Sequence, residues 1–221
     1  MRALDWLLAL LYPPKCVICQ KLLARGEQEI CADCFESLPN FEGAAPEISF
    51  CDAISVTFFY EGALRDSFLR YKFSGRDFYA DVYGRWLAGR VRETLGAEFD
   101  CVSWVPVSRK RLRRRGYDQA ELLAREVSKA LSLPLVRALQ KHAERGPQSH
   151  LHDAAARKEN AKDAFSAYPG ASLAGKEILL IDDIVTTGAT LSECCRVLKT
   201  AGAKRVACGL FASPRNETDE R

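Results

Sequence analysis

A chain of 221 residues, 48% hydrophobic and 28% charged, is sized for one ordinary domain plus a small module and has the composition of a soluble globular protein. Its formal net charge of +3 is too small to argue for a nucleic-acid partner, so only local clustering of charge can do that. Nine cysteines, an odd number, do not suit a disulfide framework and point to a reducing, cytoplasmic compartment.

Residues 1–12 contain a short apolar run that Asp5 interrupts, with no small-residue cleavage site after it, so a signal peptide is not expected. The run is also far too short to span a bilayer. Trp6, Leu7, Leu10 and Leu11 share one helical face, which predicts a helix packed on the body, ended by Pro13 and Pro14. Cys16-x2-Cys19 and Cys31-x2-Cys34 follow, eleven residues apart, with Gly26 suited to the turn between them. Each CxxC is a tight knuckle presenting two thiolates, and two knuckles close a tetrahedral Zn²⁺ site. Four thiolates leave no open coordination position, so the expected zinc is structural and lets a stretch without its own apolar core fold. Unbound or redox-active thiols are the alternative. Residues 38–46, with two prolines and Gly43, read as a linker, dividing the chain into residues 1–45 and 46–221.

Residues 51–60 are rich in Val, Ile, Thr and aromatics and predict a strand, turned by Glu61-Gly62. A helix is expected over 63–73. Asp77 is expected to cap a second one running to Leu95, broken or closely packed at Gly84 and Gly89. A strand over 101–105 meets Pro106-Val107-Ser108. Residues 109–115 (RKRLRRR) then place six basic side chains in seven, among them Arg109, Arg113, Arg114 and Arg115. Read as a loop, such a run repels itself unless an anion is present, and a pyrophosphate or a nucleic-acid backbone would satisfy it; a solvated basic loop is the plain alternative. A helix over 120–131 and a strand over 134–139 are expected next. Arg145 lies in a polar stretch that ends near Asn160. His142, His150 and His152 fall in the same region without carboxylates at ligand spacing, and Asp153 is placed to cap a short helix carrying Arg157 and Asn160.

Residues 176–200 concentrate the chemistry. Ile178-Leu179-Leu180-Ile181 is too short for a helix and suits a strand buried on both faces. Asp182 and Asp183 stand at its end, followed by Thr186-Thr187-Gly188-Ala189-Thr190 and a helical pattern that stops at Gly202. A small-residue turn opening a helix is an anion site, because unpaired backbone N–H groups and the macrodipole favour negative charge there. Paired carboxylates instead fit the two hydroxyls of a ribose, or Mg²⁺. No Lys follows the glycine as a P-loop requires, and a receiver domain would carry its acidic pair on the first strand. A last strand is expected over 204–212, with a fraying tail beyond.

This stretch resembles the PRPP-binding motif of type I phosphoribosyltransferases. By that resemblance Asp182 and Asp183 would hold the ribose hydroxyls, and residues 186–190 would cradle the 5-phosphate. With the apolar N-terminal helix, the CxxC pair, Tyr60-x-Gly62, Lys72-Phe73-x-Gly75, Val105-Pro106-Val107, Arg114-Arg115-Gly116-Tyr117-Asp118-Gln119, Arg145-x-x-Gln148 and Arg157-x-x-Asn160, the chain is similar nearly end to end to the ComF family, whose best-known members serve DNA uptake in naturally competent bacteria. The family more often has Asn at the position of Asp118.

The resemblance implies an α/β fold, a type I phosphoribosyltransferase-like parallel sheet flanked by helices, with a small N-terminal four-cysteine zinc ribbon. It implies PRPP bound with Mg²⁺; Val107, Ser108, Arg109, Arg113, Arg114, Arg115 and Arg145 are the residues expected on pyrophosphate or nucleic acid. Three functions stand side by side: a PRPP-binding competence protein handling single-stranded DNA and other competence proteins, a phosphoribosyltransferase acting on an amine or base, and a zinc-ribbon interaction module with regulatory PRPP binding.

Overall fold

The computed structural model describes residues 13–142 and 164–215. The expected helix over residues 1–12, and Arg145, His150, His152, Asp153, Arg157 and Asn160, lie outside the described residues. Four parallel strands form the main sheet: β1 (Ala53–Phe59), β2 (Cys101–Trp104), β5 (Glu177–Ile184) and β6 (Arg205–Ser213), in the spatial order β1-β6-β5-β2. A second, antiparallel pair joins β3 (Leu139–Lys141) to β4 (Phe165–Ala167). The helices are α1 (Ala32–Glu36), α2 (Gly62–Phe73), α3 (Tyr79–Leu95), α4 (Arg109–Arg115), α5 (Gln119–Leu131) and α6 (Ala189–Thr200).

The uninterrupted apolar run of β5 follows from its position inside the sheet. Leu179 and Ile181 face α2, α3 and α5, packing in one cluster with Phe68, Tyr83, Val91 and Leu123. Ile178 and Leu180 face the other way, with Leu191, Cys195 and Leu198 of α6. All four strand residues are fully buried, so neither face of β5 tolerates a polar residue until the strand emerges at Asp182.

Local chemistry set several boundaries. Helix α3 begins at Tyr79 rather than at an Asp77 cap; Asp77 instead accepts a hydrogen bond from the N–H of Phe78 (3.1 Å). The helix is unbroken. Gly84 seats it against α5, where an added Cβ would fall 2.4 Å from Glu126 Cβ, whereas at Gly89 nothing lies within 4 Å. The stretch expected to be a strand over 134–139 makes one parallel bridge, Val102 to Leu135, before β3 begins.

The four-cysteine segment packs on the α2–α3 face. Cys16, Val17 and Ile18 share a core with Phe68 and Tyr83, and the carbonyls of Val17 and Ile18 accept hydrogen bonds from Ser67 Oγ and Arg70 Nη2. The stretch expected to link it to the rest is docked. Phe41 N–H donates to Thr57 O (3.0 Å), Phe59 N–H donates to Pro39 O (2.7 Å), and Phe41 and Ile48 are buried.

Candidate functional site

Strand β5 and the turn after it deliver one wall of a cleft of about 250 Å³ at the C-terminal edge of the parallel sheet. That edge is where open α/β sheets bind ligands, because loops diverge there and helix N-termini face inward. Asp182, Asp183 and residues 184–191 line it, opposite Val105, Pro106 and Val107 from the end of β2. Lys72 of α2, Arg111 and Arg115 of α4, Ala120 of α5 and Lys141 of β3 complete the lining. Four cations and two carboxylates thus surround one cleft, a charge pattern suited to a polyanion that also carries hydroxyls.

The acidic pair is held by its own backbone. Asp183 N–H donates to Asp182 Oδ1 (2.8 Å) and Ile184 N–H to Asp183 Oδ1 (2.5 Å). The other Asp183 oxygen meets Lys72 Nζ at 2.8 Å. Burial, and then the charge of Asp183, hold the Asp182 carboxyl well above the ordinary carboxylate range, with Lys72 pulling the other way. Thr186 and Thr187 are exposed in the turn, and Thr190 is exposed in the first turn of α6. Gly188 is the N-cap of α6 with φ 71°, and no side chain caps this helix, so its first N–H groups face the cleft without a side-chain acceptor. An added Cβ on Gly188 would meet Glu47 O at 3.2 Å and Ile48 Cγ1 at 3.3 Å. Close packing against the docked linker therefore joins φ as a reason for glycine there.

The basic run is a helix, not the loop that its charge density suggested. Ser108 Oγ accepts from Arg111 N–H (3.4 Å), and Gly116 closes the C-terminus in the left-handed region with its N–H on Leu112 O. Serine before the run and glycine after it were the readable signals; the absence of apolar periodicity concealed them. Helical spacing divides the cations. Arg111 and Arg115, one turn apart, line the cleft, while Arg109, Lys110, Arg113 and Arg114 are exposed and do not. Ser108, expected to contact ligand, is buried as the cap. Arg115 donates to Gln119 Oε1 (2.7 Å) and lies 4.8 Å over the Phe73 ring, yet its Nε is buried with no hydrogen-bond partner. A buried donor left open at the rim of this cleft fits an anionic ligand.

Asp118 resolves differently from a ligand contact. Its Oδ1 accepts from the N–H groups of Ala120 and Glu121, capping α5, and its Oδ2 accepts from Val107 N–H at 2.9 Å. The backbone donor of Val107 is therefore already used, and Asp118 anchors the cleft wall. Burial pushes its carboxyl up to about 6 against those backbone donors.

Cys16, Cys19, Cys31 and Cys34 converge, all four Sγ atoms within 4.8 Å of one another. Tetrahedral zinc with Zn–S bonds of about 2.3 Å separates its sulfurs by about 3.8 Å; Cys19 and Cys31 Sγ lie 3.7 Å apart. Burial opposes ionisation of Cys16, but backbone N–H groups outweigh it and bring that thiol to about 7, while burial and the neighbouring thiols push Cys34 up. Four thiols this close ionise together only around a cation, so the donor set fits a structural zinc. Sequence reading missed Lys72, Arg111 and Lys141 as cleft residues. A lysine on an amphipathic helix carries no local sign of the strand end that it will meet.

Comparison with known proteins agrees with this architecture. Residues 113–221 match the family described as phosphoribosyl transferase domain, and residues 7–63 match the double zinc ribbon domain. The latter span holds five cysteines, enough for one four-thiolate site. The chain is 28% identical over 195 residues to competence protein ComFC of Streptococcus pneumoniae, covering 86% of this chain and 84% of that protein. It is 26% identical over 216 residues to the DNA utilization protein YhgH of Escherichia coli K12, covering 88% and 94%. To competence protein F of Haemophilus influenzae it is 33% identical over 103 residues, 46% and 45% of the two chains. Among the described residues no helix is long and apolar enough to cross a membrane. With a four-cysteine cluster docked on a type I phosphoribosyltransferase-like sheet, the chain is similar along most of its length to these competence and DNA utilization proteins.

Proposed function

We propose that this protein binds PRPP with Mg²⁺ in the cleft at the end of β5 and handles single-stranded DNA during DNA uptake. The observation that carries the PRPP reading is the gathering, in one cleft, of the Asp182–Asp183 pair with its partner Lys72, the N-terminus of α6 that no side chain caps, and Arg111 and Arg115. The turn at residues 186–190 takes the 5-phosphate, the carboxylates take the ribose hydroxyls or the hydrated Mg²⁺, and Arg111 and Arg115 take the pyrophosphate. Residues 1–45 serve as the metal-folded module and residues 46–221 as the PRPP domain. Nine free thiols accord with a reducing cytoplasm. The names of the relatives, two of them competence proteins, support a role beside other competence proteins.

The DNA reading rests on the outer face of α4. Arg109, Lys110, Arg113 and Arg114 are exposed there; separately, Phe73 and Phe78 present exposed rings (58% and 59%), with Arg115 over Phe73 and Arg76 over Phe78. Cations beside exposed aromatic faces suit a single strand, whose phosphates and unpaired bases need both.

Calorimetry with PRPP and Mg²⁺ tests the first reading. Losing a charged hydrogen-bond partner costs about 1.5–3 kcal/mol, so Asp182→Ala and Asp183→Ala should each weaken binding about ten- to hundredfold. Arg111→Ala with Arg115→Ala should weaken PRPP. Arg113→Ala with Arg114→Ala should leave PRPP alone and lower single-strand affinity for every sequence, flattening the salt slope by about 0.7 per phosphate contact. Wild-type PRPP affinity in a folded Asp182–Asp183 double variant would place the ligand elsewhere.

A further inference from the structure

A second group of thiols lies apart from the ribbon and the cleft. Cys51 leads into β1, Cys195 sits on α6 and Cys208 on β6, and their three Sγ atoms lie within 4.8 Å of one another. Cys208 Sγ is 3.4 Å from that of Cys51 and 3.6 Å from that of Cys195. Sheet register causes the meeting. Cys208 is paired with Ile54 on one side and Leu180 on the other, on the face that α6 covers. Cys195 and Cys208 are fully buried, and Cys51 is partly exposed, giving the group one opening to solvent.

Buried cysteines often serve only as small apolar side chains. Cys101 is equally buried and joins no such group among the described residues. Three sulfurs from three separated elements, meeting at one opening, are a different arrangement.

We propose that Cys51, Cys195 and Cys208 form a three-thiolate site for a soft, low-coordinate ion of the Cu(I) class. Thiolates select such ions over harder ones. Zinc in a structural site takes four ligands, and this group offers three. The nearest carboxylate in sequence, Asp52, is already engaged through Oδ2 by Lys199 Nζ (2.6 Å) and Val206 N–H (2.7 Å). An ion about 2.3 Å from each of three sulfurs in a plane holds them about 4.0 Å apart, against 3.4 and 3.6 Å for the two pairs that share Cys208 and a Cys51–Cys195 separation below 4.8 Å. Loading exchanges thiol protons, released to solvent through the Cys51 opening, for the ion. It would tie the segment that leads into β1, and β6, to α6, the helix whose first turn lines the cleft.

The full zinc-loaded chain is titrated anaerobically with Cu(I) against a chromogenic chelator, with released zinc followed in parallel. One Cu(I) per chain is expected without zinc loss, and X-ray absorption at the copper edge should show a shell of three sulfurs. Loss of an outer-shell partner alone costs about 10–100-fold in metal affinity, so losing a ligand in Cys51→Ala should cost more than about a hundredfold. Cys101→Ala should bind as wild type. Because Cys195→Ala removes buried volume and can unfold the chain, the partly exposed Cys51 is the deciding variant. Copper uptake only with stoichiometric zinc release, a two-sulfur shell, or undiminished affinity in Cys51→Ala would each overturn the site.

Discussion

Replacing Lys72 by Met removes the cation from the acidic end of the cleft while keeping an unbranched apolar stem for packing on Phe68, whose ring centroid lies 5.2 Å from Nζ. At an N···O separation of 2.8 Å and an effective dielectric of about 20, the gross attraction to Asp183 is about 6 kcal/mol. Desolvation offsets much of it, and removing one partner of a fully buried pair costs about 3–5 kcal/mol. Here the two side chains keep 15% and 17% exposure, so water screens part of the loss and a destabilisation of about 2–3 kcal/mol is expected. The pH dependence has a definite sign. Burial and Asp183 already raise the Asp182 carboxyl, and Lys72 is a group pulling it down, so in Lys72→Met it titrates higher still. A carboxyl raised above its unfolded value costs stability when ionised and recovers it as pH falls through the folded pKa. The deficit should therefore be largest at about pH 8 and narrow toward about pH 5. Urea unfolding of wild type and variant at both values measures it. A deficit under about 0.5 kcal/mol at the higher pH, or one that widens on acidification, would refute the role assigned to Lys72.

Other perturbations have equally definite outcomes. Gly188→Ala should lose about 2 kcal/mol by denaturant titration, since a left-handed non-glycine residue costs about 1–2 kcal/mol and the new Cβ crowds Glu47 O and Ile48 Cγ1. Protein purified without added zinc should contain one equivalent, lost in Cys16→Ser; chelation should expose the ribbon amides to hydrogen exchange while the sheet amides stay protected, and a content under half an equivalent would reject the four-thiolate site. Asp118 is raised to about 6 by burial, so wild type should gain about 2 kcal/mol between about pH 7 and pH 4.5 relative to Asp118→Asn, which has no proton to take up. Urea midpoints at the two pH values check this, and parallel pH profiles would show that Asp118 is not buried as a charge.

What the chain announces locally, it announced well. The CxxC spacings, the four apolar residues before Asp182 and Asp183, and the small-residue turn opening α6 all act within a few residues of themselves. Strand β5, the small-residue turn opening α6 and the four-thiol cluster could accordingly be read without coordinates. Even the helical state of residues 109–115 was written locally, in Ser108 and Gly116, although like charges hid it.

Tertiary structure decided everything that depends on residues distant in the chain. It brought Lys72 to Asp183, put Arg111 and Arg115 on the cleft while leaving Arg113 and Arg114 outside, and used Asp118 to cap α5 and fix Val107 together. It also laid the supposed linker along β1 and gathered Cys51, Cys195 and Cys208 from three elements. The physical reason is common to all of these. Hydrophobic burial sets which faces meet but is non-directional, so the polar partners are settled by sheet order and register, and those appear only when the parallel strands have paired.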